Sequence, residues 1–228
     1  MNLIQRFSLL TLLLLTAAGC KMNLTGNVFL SDLYKVPNQA GKELLTSGVL
    51  RLEMASATAC EQERSNLAST MNHYFINFKP MSCESLGMEN FLIASIDLPL
   101  TGDRDQWTKN SWSVFALQAQ RSQKIGGIEV SLLLNQGQFK KLSKTVAQKY
   151  FDQMDLNASQ LSVKIHNDQS VRNLLLVSGV FVNGEPIVEE DAINISPREQ
   201  MEIDLSDVQR DHLSSYGWTP VFSLITGI

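Results

Sequence analysis

The sequence predicts an α+β domain, a mostly antiparallel β-sheet with two main amphipathic helices. Three observations carry that expectation. Residues 49–54, 161–166 and 201–205 alternate apolar and polar side chains with a period of two, the mark of strands with one buried face. Two longer stretches, opening at Thr58 and Asn135, space their apolar residues three and four apart behind a helix-start signature. The elements run strand, helix, several strands, helix, then more strands, with no repeat and no linker, so one domain over 28–228 is expected.

Residues 27–36 are apolar enough to dock as a strand or an extended arm, punctuated after Val36 by Pro37 and Gly41. In 49–54, Leu50, Leu52 and Met54 face one way, Arg51 and Glu53 the other. Thr58-Ala-Cys-Glu61 fits a capping box, with Thr58 as N-cap, and predicts a helix to about Phe75. Its stripe is Leu67, Met71, Tyr74 and Phe75, and Cys60 falls on its first turn. The segment 79–83 then reads as a loop that folds back to bring Cys83 toward Cys60. Residues 91–100 form the next strand, ended by Pro99 and Thr101-Gly102-Asp103, and a polar loop with Trp107 follows.

Residues 113–120 and 128–134 read as a strand pair joined through Gly126-Gly127. Asn135-Gln-Gly-Gln138 opens the second helix, to about Met154, with Phe139, Leu142, Val146 and Tyr150 along one stripe. Lys140, Lys141, Lys144 and Lys149 crowd its other faces, a candidate basic face for anionic lipid headgroups or an acidic partner. Leu161, Val163 and Ile165 alternate with Ser162, Lys164 and His166. The run 174–182 is apolar almost throughout, as in a strand buried on both faces, and Asn183-Gly184 turns it back into 186–188. Met201, Ile203 and Leu205 mark another strand, followed by a short helix over 207–213 and an apolar tail over 221–225.

The first twenty residues are of another kind. Arg6, a leucine-rich run over 9–15 and the small residues 16–19 have the layout of a secretory signal. The apolar run is about half of the ~20 residues a bilayer-crossing helix needs. The stretch Ala17-Ala18-Gly19-Cys20 resembles the bacterial lipoprotein signal, the lipobox, with Ala17 where that class usually has Leu. The resemblance covers only the leader and implies a signal peptide over 1–19, cleavage between Gly19 and Cys20 and a lipidated Cys20; the residues that follow, to about Asn27, read as a short tether, giving a lipidated tether over 20–27. Several acyl chains on one residue anchor stably, because each buried methylene contributes about 0.8 kcal/mol. In that class an aspartate after the cysteine retains the protein in the inner membrane. Lys21 stands there, which implies the outer membrane, with the body facing the periplasm.

The net charge of −4 lacks the basic excess of a nucleic-acid binder. With Cys20 lipidated, Cys60 and Cys83 remain as an even pair in an oxidising compartment, which predicts a disulfide. A zinc site needs four ligands, and only His73 lies between them, with no CxxC. There is no G-x-S-x-G, P-loop or G-x-G-x-x-G. His73, His166 and His212 are scattered, and Glu189-Glu190-Asp191 reads as a solvated loop. The expectation is therefore no enzyme, no metal and no cofactor. A hydrolase with dispersed carboxylates is the least favoured reading, because such pairs are spatial and leave no spacing in the sequence.

The segment 28–36, and the block from Cys60 through Tyr74-Phe75 to Cys83 leading into Ile96-Asp-Leu-Pro99, resemble an uncharacterised domain-of-unknown-function family of lipoproteins from proteobacteria, their phages and mobile elements. The resemblance suggests that Cys60 and Cys83 belong together and supplies no catalytic residues. The expected function is a non-catalytic, lipid-anchored binding or assembly module of the envelope, with surface or superinfection exclusion as a role by analogy. The alternative is a periplasmic carrier of a lipid or other apolar ligand in a groove between sheet and helix.

Overall fold

The computed structural model describes residues 21–38, 43–150 and 154–225. Gly19 and Cys20, with the rest of the expected leader, lie outside them, as does the side chain of Tyr150. Along the chain run β1 (Met22–Phe29), α1 (Leu30–Lys35), β2 (Leu44–Met54), α2 (Ala57–Met71), β3 (Ile76–Leu86), β4 (Glu89–Thr101) and α3 (Arg104–Asn110). Then come β5 (Phe115–Ser122), β6 (Gly127–Leu134), α4 (Gln136–Tyr150), β7 (Leu161–His166), β8 (Asn173–Val177), β9 (Val180–Val182) and β10 (Glu185–Ile187). The chain ends in β11 (Asp191–Ile195), β12 (Gln200–Leu205), α5 (Asp207–Tyr216) and β13 (Trp218–Ile225).

These strands form one 13-stranded sheet in the order β10-β9-β12-β7-β1-β2-β4-β5-β6-β13-β8-β11, with β3 added on β4. β1 pairs in parallel with β7, and β4 with β5; the remaining pairings are antiparallel. The expected α+β class is thereby overturned. The chain is mostly β, and its mixed sheet curls into a near-closed barrel. The period-two strands were readable one by one. Their closure depends on pairings between distant segments, which periodicity does not encode.

The seam of the barrel lies in the apolar run expected to be one strand. It is two strands, broken at Ser178-Gly179, where Gly179 takes the left-handed backbone (φ 65°) that costs glycine least. β8 pairs with β13, and β9 pairs with β12, so one bent strand meets both ends of the sheet path. The return strand does the same, with only residues 188–190 between β10 and β11. Asn183 (φ 49°) and Gly184 (φ 85°) make the expected tight turn between β9 and β10. α5 lies against the seam: the Gln209 side chain donates to the Pro220 carbonyl at 2.9 Å and the Ser178 carbonyl at 3.4 Å.

The barrel is filled. Leu24 and Val28, Leu50 and Leu52, Ile96 and Leu98, Leu117, Val163, Ile165 and Ile203 are buried in one continuous core. Leu67 and Met71 of α2 and Leu142 and Val146 of α4 enter the same core, each buried aliphatic contributing about 1.5–3 kcal/mol. The cross-strand pair Gly26 and Gly48 makes room for Leu98, whose Cδ1 would lie 2.8 Å and 3.1 Å from Cβ atoms placed there. The opposite face of the same strands carries Asn23, Thr25, Asn27, Lys164, Glu202 and Asp204, all partly exposed. Apolar inside and polar outside is the reverse of a lipid-facing barrel. Among the described residues no helix is long and apolar enough to cross a membrane.

Four local expectations need correction. Residues 22–27 are not a tether but belong to β1, with Met22 opposite Leu52 and Leu24 opposite Leu161. The chain is fixed as early as Lys21, whose ammonium pairs with Glu89 and whose backbone N–H donates to Glu53 Oε2 at 3.1 Å. α2 is capped by Ser56, which accepts from Ala59 N–H at 3.0 Å, not by Thr58. The segment 79–83 is not a loop but part of β3, which pairs only with β4. Pro80 is tolerated because β3 is an edge strand, and the register shifts on either side of it. The loop around Trp107 contains α3, capped by Asp103, whose Oδ1 accepts from Gln106 N–H at 2.9 Å.

Candidate functional site

Trp107 explains why α3 lies where it does. It is buried on the outer face of the barrel against Ala116 of β5 and Leu133 of β6, with Trp218 beside it. Ala116 is small enough to let the indole down onto the sheet. The next outward residues on these strands are polar: Gln118 lies opposite Ser131, and Gln120 opposite Glu129. An open groove of about 410 Å³ results, walled by Asp103, Arg104, Asp105, Gln118, Glu129 and Trp218. A second, of about 350 Å³, lies on the other side of Arg104 and Asp105, lined by Thr108, Lys109, Gln136 and Tyr216 among others.

The Arg104 guanidinium sits over the Trp218 ring, 5.5 Å from its centroid, a cation–π arrangement. His212 of α5 packs edge-on to Trp218 at 5.1 Å and against Tyr216 at 4.6 Å. Its Nδ1–H donates to the Trp218 carbonyl at 2.7 Å, which fixes the ring. Tyr216 is 68 % and Trp112 45 % exposed. Arg, Trp and Tyr are the side chains that most often anchor protein interfaces. Two of the three carboxylates here have structural tasks: Asp103 caps α3, and Asp105 lies 3.6 Å from Arg104 Nε, while Glu129 is exposed.

The site expected from sequence is distributed differently. Cys60 and Cys83 are bonded, with Cα atoms 6.1 Å apart, inside the range a disulfide requires. Lys140, Lys141 and Lys144 are exposed on α4, whereas Lys149 donates to Thr70 Oγ1 of α2 at 2.7 Å and leaves the cluster. Among the described residues none of the four forms an ion pair. The three histidines do not meet. His73 is exposed at the end of α2, and His212 supports Trp218. His166 stacks on Phe29 at 4.7 Å and hydrogen-bonds Asn27 Oδ1 at 3.0 Å. Burial pushes its imidazole below the ordinary value, Lys164 acts in the same direction, and Asp168 opposes them. Among the described residues no group of three or more His, Cys, Asp or Glu could hold a metal ion.

Between β2, α2 and α4 lies one apolar pocket of about 130 Å³, lined by Leu52, Met54, Ala59, Leu67, Met71 and Val146 among others. Ligand pockets usually measure about 300–1,000 Å³, and an engineered cavity of about 150 Å³ holds benzene. Arg104, Trp218 and Tyr216 were not singled out from sequence, because their meeting is tertiary. One signal was present: Asp103-x-x-Gln106 has the spacing of a helix cap.

The chain belongs to the family described as a domain of unknown function (DUF7424), whose model matches residues 22–226. The match begins at the first residue of β1. No curated protein and no solved structure matches the chain.

Proposed function

We propose that this protein is an envelope lipoprotein, held in the outer membrane through Cys20 and facing the periplasm, whose barrel is a non-catalytic binding module. The observation that carries the proposal is the placement of the groove relative to the start of β1. A single residue, Lys21, separates Cys20 from β1, so a lipid on Cys20 sets the start of that strand against the bilayer. Met22 is level with Leu52 on β2, while Leu117 beside the groove is level with Leu100 and, through it, Leu44. The eight residues from Leu44 to Leu52 place the groove roughly 26 Å farther along the strands at ~3.3 Å per residue. The barrel is a rigid post that holds the Arg104–Trp218–Tyr216 surface away from the membrane. Exclusion of competing elements follows only by analogy with the phage and mobile-element lipoproteins that the sequence resembles.

The carrier alternative lacks support, because the apolar pocket is smaller than a lipid needs. The test is photo-crosslinking in the native envelope from a probe at Thr108, with and without Arg104→Glu and Tyr216→Ala. These exposed changes should abolish the cross-linked species without releasing the protein from membranes. Undiminished crosslinking would refute the groove as the binding surface. Release of Cys20→Ser from membranes is expected in parallel, and its retention would refute the anchor.

A further inference from the structure

We propose that the β3–β4 turn, Leu86-Gly87-Met88, is a second membrane contact that inserts into the same periplasm-facing leaflet as the anchor. This rests on the lipoprotein reading above. Met88 is 94 % exposed and Leu86 57 %, at the tip of a two-residue turn in which Gly87 takes φ 63°. Solvent exposure of a methionine at a hairpin tip stabilises nothing within the fold. The tip's position relative to the chain's exit suggests what it meets.

Lys21, one position after Cys20, is the first described residue, and its carbonyl accepts from Glu53 N–H at 2.9 Å. Glu53 is paired with Phe91. From that level β4 runs back through Asn90 and Glu89 to Met88, three residues or about 10 Å at ~3.4 Å per residue. Cys20 is one Cα step, about 3.8 Å, from Lys21. The tip therefore extends past Lys21 along the strands by more than one Cα step, farther than the residue bonded to Lys21 can reach. The overhang matches the roughly 5–10 Å depth at which apolar side chains settle into the headgroup and acyl boundary. Glu89, the carboxylate next to Met88, is neutralised by the Lys21 ammonium, so the flank of the tip carries less charge to repel anionic headgroups. Anchor and tip together would give two points of attachment and fix the tilt of the barrel, which one lipidated residue alone does not.

The test uses the full lipidated chain with Met88→Cys, reconstituted in vesicles of phosphatidylethanolamine and phosphatidylglycerol. With Cys20 acylated and Cys60 bonded to Cys83, the new thiol is the single site for a polarity-sensitive fluorophore. Gln120→Cys, in the groove, is the control. The expected result is a blue-shifted emission at residue 88, severalfold less quenching by aqueous iodide than at 120, and strong quenching by lipids carrying a quencher on the acyl chain. Equal iodide access at the two sites, with Cys20 shown acylated by mass spectrometry, overturns the contact and leaves the anchor standing. Shielding from iodide without quenching by the lipid chains would mean that protein covers the tip, and also overturns it. An unmodified Cys20 overturns the anchor and this contact with it.

Discussion

Removing the Cys60–Cys83 bond should lower stability by an amount the topology sets. The bond closes a loop of 23 residues between the first turn of α2 and the edge strand β3. In the chain-entropy treatment such a loop restricts the unfolded chain by about 3.4 kcal/mol at 25 °C. Other contacts hold the folded geometry: Ser56 caps α2, and Arg64 donates to the Met81 carbonyl at 2.6 Å and the Pro80 carbonyl at 3.3 Å. The loss therefore falls mostly on the unfolded state, and the variant should keep its fold. For a chain of this size each kcal/mol moves the melting midpoint by about 2–4 °C, so a drop of roughly 7–14 °C is expected. The assay is thermal unfolding of Cys60→Ala, Cys83→Ala and the double variant. Each single change should match the double, since each already breaks the one bond. The leaderless protein made in a reducing cytosol should melt at the lower midpoint and gain the difference on oxidation. A double variant within about 1 °C of the parent, or single variants whose losses add, would refute the reasoning.

Gly127→Ala should cost about 2–3 kcal/mol, because a Cβ there meets the Leu224 carbonyl oxygen at 2.2 Å and both partners are backbone. Gly87→Ala, strained at φ 63° but open around its Cβ, should cost about 1 kcal/mol; equal urea midpoints would contradict the difference. His166 has its folded-state pKa lowered, so its neutral form is favoured and its contribution is fully present above the ordinary value of about 6.5. That contribution is lost as pH falls toward the folded pKa, and His166→Gln should flatten the fall in urea midpoint between neutral and mildly acid pH. An unchanged slope would dismiss the residue. Changing Lys140, Lys141 and Lys144 to Gln should leave stability within about 0.5 kcal/mol and weaken a salt-sensitive association with an acidic partner. Anionic-vesicle binding of the lipidated chain should not change; the reverse outcome would put these lysines on lipid.

What was legible in the sequence were features that one element settles by itself. Met201, Ile203 and Leu205 report their own burial by alternation, and Asn135 reports its own cap by the spacing to Gln138, whose N–H it accepts at 3.1 Å. β1 alternates too, but its inward residues include Gly26, so the stretch 22–27 looked like a polar tether. Ser178-Gly179 is a weak interruption in an apolar run, and only the two different partners of β8 and β9 reveal that it is a corner. The parallel pairing of β1 with β7 joins residues 137 apart, and nothing local signals it. The groove was missed for the same reason. Arg104 and Trp218 each look ordinary until α3, β5, β6 and β13 bring them within 5.5 Å.

The absence of a tether has a consequence for the partner. A flexible linker lets a binding domain search a volume, with an effective concentration set by linker length. Here the first strand begins two positions after the proposed anchor and lies inside the sheet, between β2 and β7. If Cys20 and the β3–β4 tip both hold the membrane as proposed, the groove would be confined to a fixed height, and the barrel would only translate in the membrane and rotate about its normal. A freely diffusing periplasmic partner gains little from that restriction. A partner embedded in the same membrane, with a matching surface at the same height, gains much, because both molecules search two dimensions with their faces already aligned. The filled core and the stapled α2–β3 corner would help to keep such an alignment, since a post that bent would lose it. Under the proposed anchoring, the groove would best suit another protein of the same membrane, with aromatic and hydrogen-bonding groups that complement Arg104, Trp218 and Tyr216.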